Sequence, residues 1–268
     1  MNIFYDGNAS QINILDDRFY QSKLNPDVYY PSVTTILEAY TKGYGFHEWL
    51  KQVGFNADEI LKKAGETGSN VHAMIDSYLS GNAINWMNED LKQLYSFEEW
   101  VMFCKFIDFW KQAKPEVLIH EMSICSDTLG FGGTIDLICK INGQIWLIDY
   151  KTSNAIHKTH ELQIAAYAVA WNELNPQYPI DRTGILWLKA ATRGEDKKGE
   201  KIQGAGWQLK DFDRLYQDAF ELFKHTQAIW LEENPNYKPR NLIYPSTFKL
   251  ETNELIPSNP EENRIPGF

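Results

Sequence analysis

Residues 131–152 read FGGTIDLICKINGQIWLIDYKT. Two strand-like segments, Thr134 to Ile141 and Gln144 to Tyr150, flank Asn142-Gly143, the strongest short hairpin signal in the chain, because both residues tolerate the positive φ of a two-residue turn. Asp136 interrupts the first apolar segment, and Asp149 ends the second with Lys151 two residues on. Side chains two apart on a strand share a face. Asp149 and Lys151 therefore project together, and the hairpin makes Asp136 their neighbour. Two adjacent carboxylates repel unless something neutralises them. Mg²⁺ does so with one or two carboxylates, waters and substrate phosphate oxygens. An amine beside such an ion can position or deprotonate water, or stabilise developing charge. These are the parts that phosphodiester hydrolysis needs. A structural hairpin with a cross-strand ion pair uses the same residues, so both readings stay open at this point.

Upstream, Gln11 to Tyr30 reads as short strands around a turn at Asp16-Asp17. Pro31-Ser32 is a helix-start signal, with Ser32 as the cap. Residues 46–53 and 57–80 read as helices, and a third is expected over 89–113, where Leu91, Leu94, Phe97, Trp100, Val101, Cys104 and Ile107 fall near helical spacing. A strand from Val117 to Cys125 precedes the hairpin. Downstream, a helix is expected over 159–174, a strand over Thr183 to Leu188, and a helix over 210–233. The proline-containing tail after Asn234 reads as extended or poorly ordered. The pattern predicts a mixed α/β core with an N-terminal helical part.

The chain has 268 residues and 37 aromatic ones (9 Trp, 14 Tyr and 14 Phe), enough to bury a core and too many for a disordered chain. No apolar run approaches the length that spans a bilayer, and MNIFYDGNASQ lacks the basic-then-apolar pattern of a secretory leader. Cys104, Cys125 and Cys139 form no CxxC pair, which disfavours a zinc ribbon, an iron–sulfur cluster or a disulfide framework and predicts a reducing, cytoplasmic setting. The formal charge of −10 argues against a basic nucleic-acid-binding surface. Bound cations reverse the sign locally, and a metal site needs acids of its own.

Two further clusters surround the hairpin. Gln163 and Tyr167 stand four apart, on one face of the helix over 159–174. Gly68 and His72 stand four apart upstream, and neutral imidazole is a common metal ligand. A surface Gln, a core Tyr and a structural His are the plainer readings of each residue taken singly. In this order, however, Gly68-xxx-His72, Gly133-Thr134-Ile135-Asp136, Ile148-Asp149-Tyr150-Lys151-Thr152 and Gln163-xxx-Tyr167 resemble the RecB-like nucleases of the PD-(D/E)XK superfamily. Pro31-Ser32-Val33-Thr34 is similar to the opening motif of mitochondrial genome maintenance exonucleases and related phage exonucleases. The resemblance spans about residues 30 to 190.

The resemblance implies a restriction-endonuclease-like mixed sheet flanked by helices. It implies metal ligation by His72, Asp136, Asp149 and the Tyr150 carbonyl, with Mg²⁺ or Mn²⁺ as the ion. Lys151 then acts on the water or the transition state, and Gln163 and Tyr167 support the site or touch DNA. Ser32 and Thr34 hold a phosphate at a helix start. Glu121 joins through a water, unless it is a plain surface residue. Expected divisions are 1–114, strands and helices contributing His72; 115–233, the nuclease core; and 234–268, a tail, with one structural domain in all. The implied partner is DNA, single-stranded or with free ends, and the implied activity is that of an exonuclease in repair, recombination or phage DNA processing. No GxxxxGK[ST] motif occurs, so any helicase motor is another chain. The rival expectation is a nuclease-fold module that holds DNA or a partner without cutting. Tyr40, Tyr44, Phe46 and Trp49 read first as core residues and second as stacking platforms for bases.

Overall fold

The computed structural model of the protein describes residues 7–14, 17–190, 193–195, 201–212 and 215–239. Its described part up to Lys238 is one compact unit. The chain opens with strands β1 (Ala9–Ile14), β2 (Asp17–Ser22) and β3 (Tyr29–Pro31), joined in an antiparallel three-stranded sheet. Helix α1 (Val33–Ile36) follows and passes into a 3₁₀ turn at Leu37–Ala39; Ser32 caps it by accepting from the Thr35 N–H. Helices α2 (Tyr44–Val53), α3 (Ala57–Leu79) and α4 (Phe97–Ala113) complete the N-terminal part. Next come β4 (Glu116–Ser126), β5 (Phe131–Ile141), β6 (Gln144–Lys151), α5 (Lys158–Leu174) and β7 (Arg182–Trp187). The short β8 (Arg193–Glu195) and β9 (Lys201–Gln203) pair with each other, and β10 (Gln208–Asp211) and α6 (Tyr216–Glu233) close the described chain.

The central sheet has the order β10-β7-β6-β5-β4. β4, β5 and β6 form the expected antiparallel meander, turned at Asn142 (φ 51°) and Gly143 (φ 80°). α5 then carries the chain over to β7, which runs parallel to β6. Period-2 alternation sorts β6 between two cores. Leu147 faces the core built with α1, α5 and α6, and Ile148 and Tyr150 face the one built with α3 and α4. Asp149 and Lys151 share the face of Leu147, so the crossover helix α5 packs over them. This is the mixed sheet flanked by helices that the resemblance implied.

Three differences from the sequence reading have local causes. The helix expected from residue 89 begins at Phe97, because Ser96 and Glu99 form a reciprocal capping box. Residues 84–96 instead make turns, with Leu91 at φ 59° and both Leu91 and Leu94 exposed. The helix expected from residue 210 begins at Tyr216, since Gln208–Asp211 adds a strand to β7. α2 buries no residue at all: Tyr44 is 78% exposed, and Phe46 and Trp49 are half-buried against each other, their centroids 5.7 Å apart. The core reading therefore fails for Tyr44 and holds in part for Tyr40, which packs on the α5–α6 core. Most of the tail over 234–268 lies outside the described residues. No helix among the described residues is long and apolar enough to cross a membrane.

Candidate active site

The register of β5 on β6 runs through Leu137↔Ile148, which sets Asp136 opposite Asp149 at the end of the ladder. Both are buried, at 8% and 2% exposure. The Lys151 amine lies 2.6 Å from Asp149 Oδ2 and donates to Gln163 Oε1 at 3.0 Å. The Gln163 amide donates in turn to Asp149 Oδ1 at 3.1 Å and to the Tyr167 hydroxyl at 3.2 Å. One turn of α5 thus fixes the position of the Asp149–Lys151 pair. A buried amide is costly unless hydrogen-bonded, and here every polar atom of Gln163 has a partner.

Asp136 is held from two other elements. Its Oδ2 accepts from the Tyr150 N–H at 2.8 Å, and its Oδ1 lies 3.3 Å from His72 Nδ1. His72 Nε2 lies 3.2 Å from the Tyr150 carbonyl oxygen, and its ring packs edge-on to Tyr150. Glycines permit these approaches. A Cβ on Gly133 would sit 2.2 Å from the Tyr167 ring, and one on Gly68 would sit 3.2 Å from Thr152 Oγ1. Gly133, three residues before Asp136, is therefore a requirement of packing, while Gly68, four before His72, sits in a tight contact with a side-chain hydroxyl.

Glu121 stands on β4 between His120↔Leu137 and Met122↔Ile135, which places it beside Asp136 across the ladder. Its backbone is left-handed, at φ 46°, a conformation a carboxylate residue adopts at a cost of about 1 kcal/mol or more. One ligand atom each of His72, Glu121 and Asp136 fall within 4.8 Å of one another. These side chains line a cavity of about 440 Å³ together with Asp149, Lys151, Gln163 and Tyr167. Gln11, Arg18, Tyr20, Thr34, Asp76 and Thr134 line it as well.

The electrostatics follow from burial. Desolvation raises the Asp149 carboxyl to about 6, against the lowering pull of Lys151 and with further help from Asp136. Desolvation likewise raises Glu121 to about 7, with Asp136 adding to it. Burial alone would lower His72, but the Asp136 carboxylate outweighs it and lifts the imidazole to about 9. Desolvation, the largest single effect, pushes Asp136 up, but the charge and hydrogen bond of His72, with the Lys151 charge and the Tyr150 N–H, together hold it below its ordinary value. Carboxylates, an imidazole and a backbone carbonyl converging in a desolvated pocket are the donor set that a hard divalent cation takes. With His72 neutral and the acids ionised, as metal binding requires, the four cavity acids Asp76, Glu121, Asp136 and Asp149 exceed the charges of Arg18 and Lys151, an excess that a bound cation would redress.

The structure brings His72, Asp136, Asp149, Tyr150, Lys151, Gln163, Tyr167, Glu121 and Thr34 to one place. Ser32 stands apart: it is 2% exposed, and its hydroxyl is taken up by the Thr35 N–H and by the Thr34 and Thr35 hydroxyls, at 2.8 and 2.7 Å. Sequence reasoning missed Asp76, four residues after His72 and so on the same helix face, where it meets His120 Nδ1 at 2.7 Å. It also missed Gln11, Arg18 and Tyr20, whose pattern of alternation gives no sign of a distant cavity. A family model described as the PD-(D/E)XK nuclease superfamily matches residues 20–240. No curated protein matches the chain.

Proposed function

Because the chain belongs to the PD-(D/E)XK nuclease superfamily, a family of metal-dependent nucleases, we propose that it is an Mg²⁺- or Mn²⁺-dependent exonuclease that hydrolyses DNA, preferring single strands or free ends. The observation that carries the reading is the facing pair Asp136 and Asp149 with Lys151 and His72 gathered in one desolvated cavity. His72, Asp136, Asp149 and the Tyr150 carbonyl hold the ion, and Glu121 completes the set from β4. The ion, when bound, supplies Lewis-acid charge at the phosphoryl oxygens.

The chain's own groups do the rest. The Lys151 amine presents positive charge and N–H donors to the non-bridging oxygen on which negative charge builds in the transition state. Gln163 is a positioning residue: it orients the Lys151 amine and Asp149 together and is itself held by Tyr167. Thr34 offers a hydroxyl to the substrate, and Ser32 orients Thr34. The rival reading, a nuclease fold that binds without cutting, has no use for the Asp149–Lys151–Gln163 arrangement, which costs buried polar groups to maintain.

The preference for single strands draws on α2 and the first turns of α3. Tyr44 on α2, Phe55 in the turn between α2 and α3, and Ile60 and Leu61 in α3 are exposed, and α3 runs on from them to the cavity at Gly68. Aromatic surfaces of this kind stack on unpaired bases of any sequence. The test is digestion of end-labelled single-stranded and duplex DNA, linear and circular, with Mg²⁺, Mn²⁺ or EDTA. Nucleotides released from linear DNA with the circle left intact are expected. Cleavage of the circle would replace the exonuclease by an endonuclease, and cleavage in EDTA would remove the metal mechanism.

A further inference from the structure

The family match begins at residue 20, yet two residues ahead of it, Gln11 and Arg18, line the cavity. Cross-strand partners share a face of a sheet. In the β1–β2 hairpin the pairs Gln11↔Tyr20 and Asn13↔Arg18 therefore lie on one face, two residues apart along each strand. That face is tied to the strand that carries Asp136. The Tyr20 hydroxyl shares a hydrogen bond of 3.0 Å with Thr134 Oγ1 and donates to Gln11 Oε1 at 3.2 Å. Thr134 precedes Asp136 by two residues on β5. Tyr20 also packs directly against Gly132, where an added Cβ would sit 2.4 Å from the Tyr20 Cβ. Arg18, two residues from Tyr20 on the same face, thus has a fixed offset from Asp136, and its charge reaches Glu121.

The two formal cations of the cavity wall differ in what they are free to do. Lys151 is held between Asp149 and Gln163, whereas Arg18, hydrogen-bonded to the Tyr20 side chain, is exposed on the cavity wall, and among the described residues it forms no ion pair with a carboxylate. A guanidinium presents a planar fork of donors that matches two phosphate oxygens. We propose that the β1–β2 hairpin is a substrate-positioning wall of the active site, in which Arg18, braced by Tyr20, which itself donates to Gln11, binds a DNA backbone phosphate next to the one being cut. This rests on the nuclease reading above and adds to it a phosphate subsite outside the family-matched segment.

The subsite is tested by fluorescence anisotropy of a labelled single-stranded oligonucleotide with Ca²⁺ in place of Mg²⁺, over a salt series, using the full chain and its Arg18→Ala and Arg18→Lys variants. Arg18→Ala is expected to weaken binding about tenfold, as for a lost charge-assisted contact. It also lowers the slope of log K against log salt by about 0.7, the value for one phosphate contact on a single strand. KM rises with kcat nearly unchanged, and Arg18→Lys restores the slope but only part of the affinity, because an ammonium lacks the fork. Mn²⁺ affinity measured by calorimetry stays at the wild-type value. Arg18→Ala with wild-type affinity and salt slope would overturn the subsite and leave the nuclease reading standing. So would a variant whose Mn²⁺ affinity changes while its DNA binding does not, since Arg18 would then serve only to balance Glu121. A wild-type protein that neither binds nor cuts DNA with any of these ions ends both.

Discussion

Three of the cavity's titrating groups are displaced in the same direction, and that gives the site a pH signature. His72 is raised to about 9, Asp149 to about 6 and Glu121 to about 7. A group whose folded pKa lies above its ordinary value contributes stability that is present below the ordinary value and lost as pH rises through the folded one. Thermal denaturation in EDTA should therefore show the metal-free protein losing stability as pH rises from about 4 to about 9. Asp136, lowered, acts only below its ordinary value and so outside this window. Metal ligands bind in their deprotonated forms, so Mn²⁺ affinity by calorimetry should climb across pH 6 to 9, and saturating Mn²⁺ should flatten the stability profile. At the same scale, Gln163→Ala should lower kcat about ten- to a hundredfold, the usual loss when a residue supporting a ligand goes. Lys151→Ala should cost about a hundredfold or more. Asp149, Lys151 and Asp136 were legible because an acid in an apolar strand is conspicuous and two-residue spacing fixes its face. Arg18 was not, because its place in the cavity wall depends on a fold-back between β2 and β5 that no local pattern encodes.

Elements were legible where local chemistry and burial agree. Asn142-Gly143 set the β5–β6 turn, Ser32 capped α1, and the apolar run of α5 is buried on almost every side. They were misread where a cap or a pairing overrode periodicity: Ser96–Glu99 starts α4 late, and β7 draws Gln208–Asp211 into the sheet. The contact of α5 with β5 yields a prediction of its own. Gly133→Ala drives a methyl into the Tyr167 ring, so it should cost about 1–3 kcal/mol by overpacking and move Gln163 away from Asp149. Urea denaturation reads the first effect, and a fall in kcat at saturating Mg²⁺ reads the second. α2 behaves differently. Because it buries nothing, Tyr44→Ala should change stability by less than about 0.5 kcal/mol while weakening single-strand binding, which anisotropy measures.

Across the whole molecule, the charge of −10 and the activity proposed for it are compatible only through cations. On the proposed function, acids concentrated in one cavity should oppose nucleic-acid binding until divalent ions are loaded. The mixed sheet places the acids on adjacent strands, the crossover helix α5 fixes their amine, and the N-terminal sheet adds Gln11, Arg18 and Tyr20 to the cavity lining. DNA affinity should accordingly collapse in EDTA and return with Ca²⁺. The central claim, that Asp136 and Asp149 converge on one divalent ion beside Lys151, is tested most directly by anomalous diffraction from crystals grown with Mn²⁺. The account predicts a strong peak roughly 2.0–2.3 Å from an oxygen of each of Asp136 and Asp149, absent from crystals of Asp149→Asn. Well-ordered crystals of the wild-type protein at saturating Mn²⁺ with no peak between those two carboxylates would contradict it.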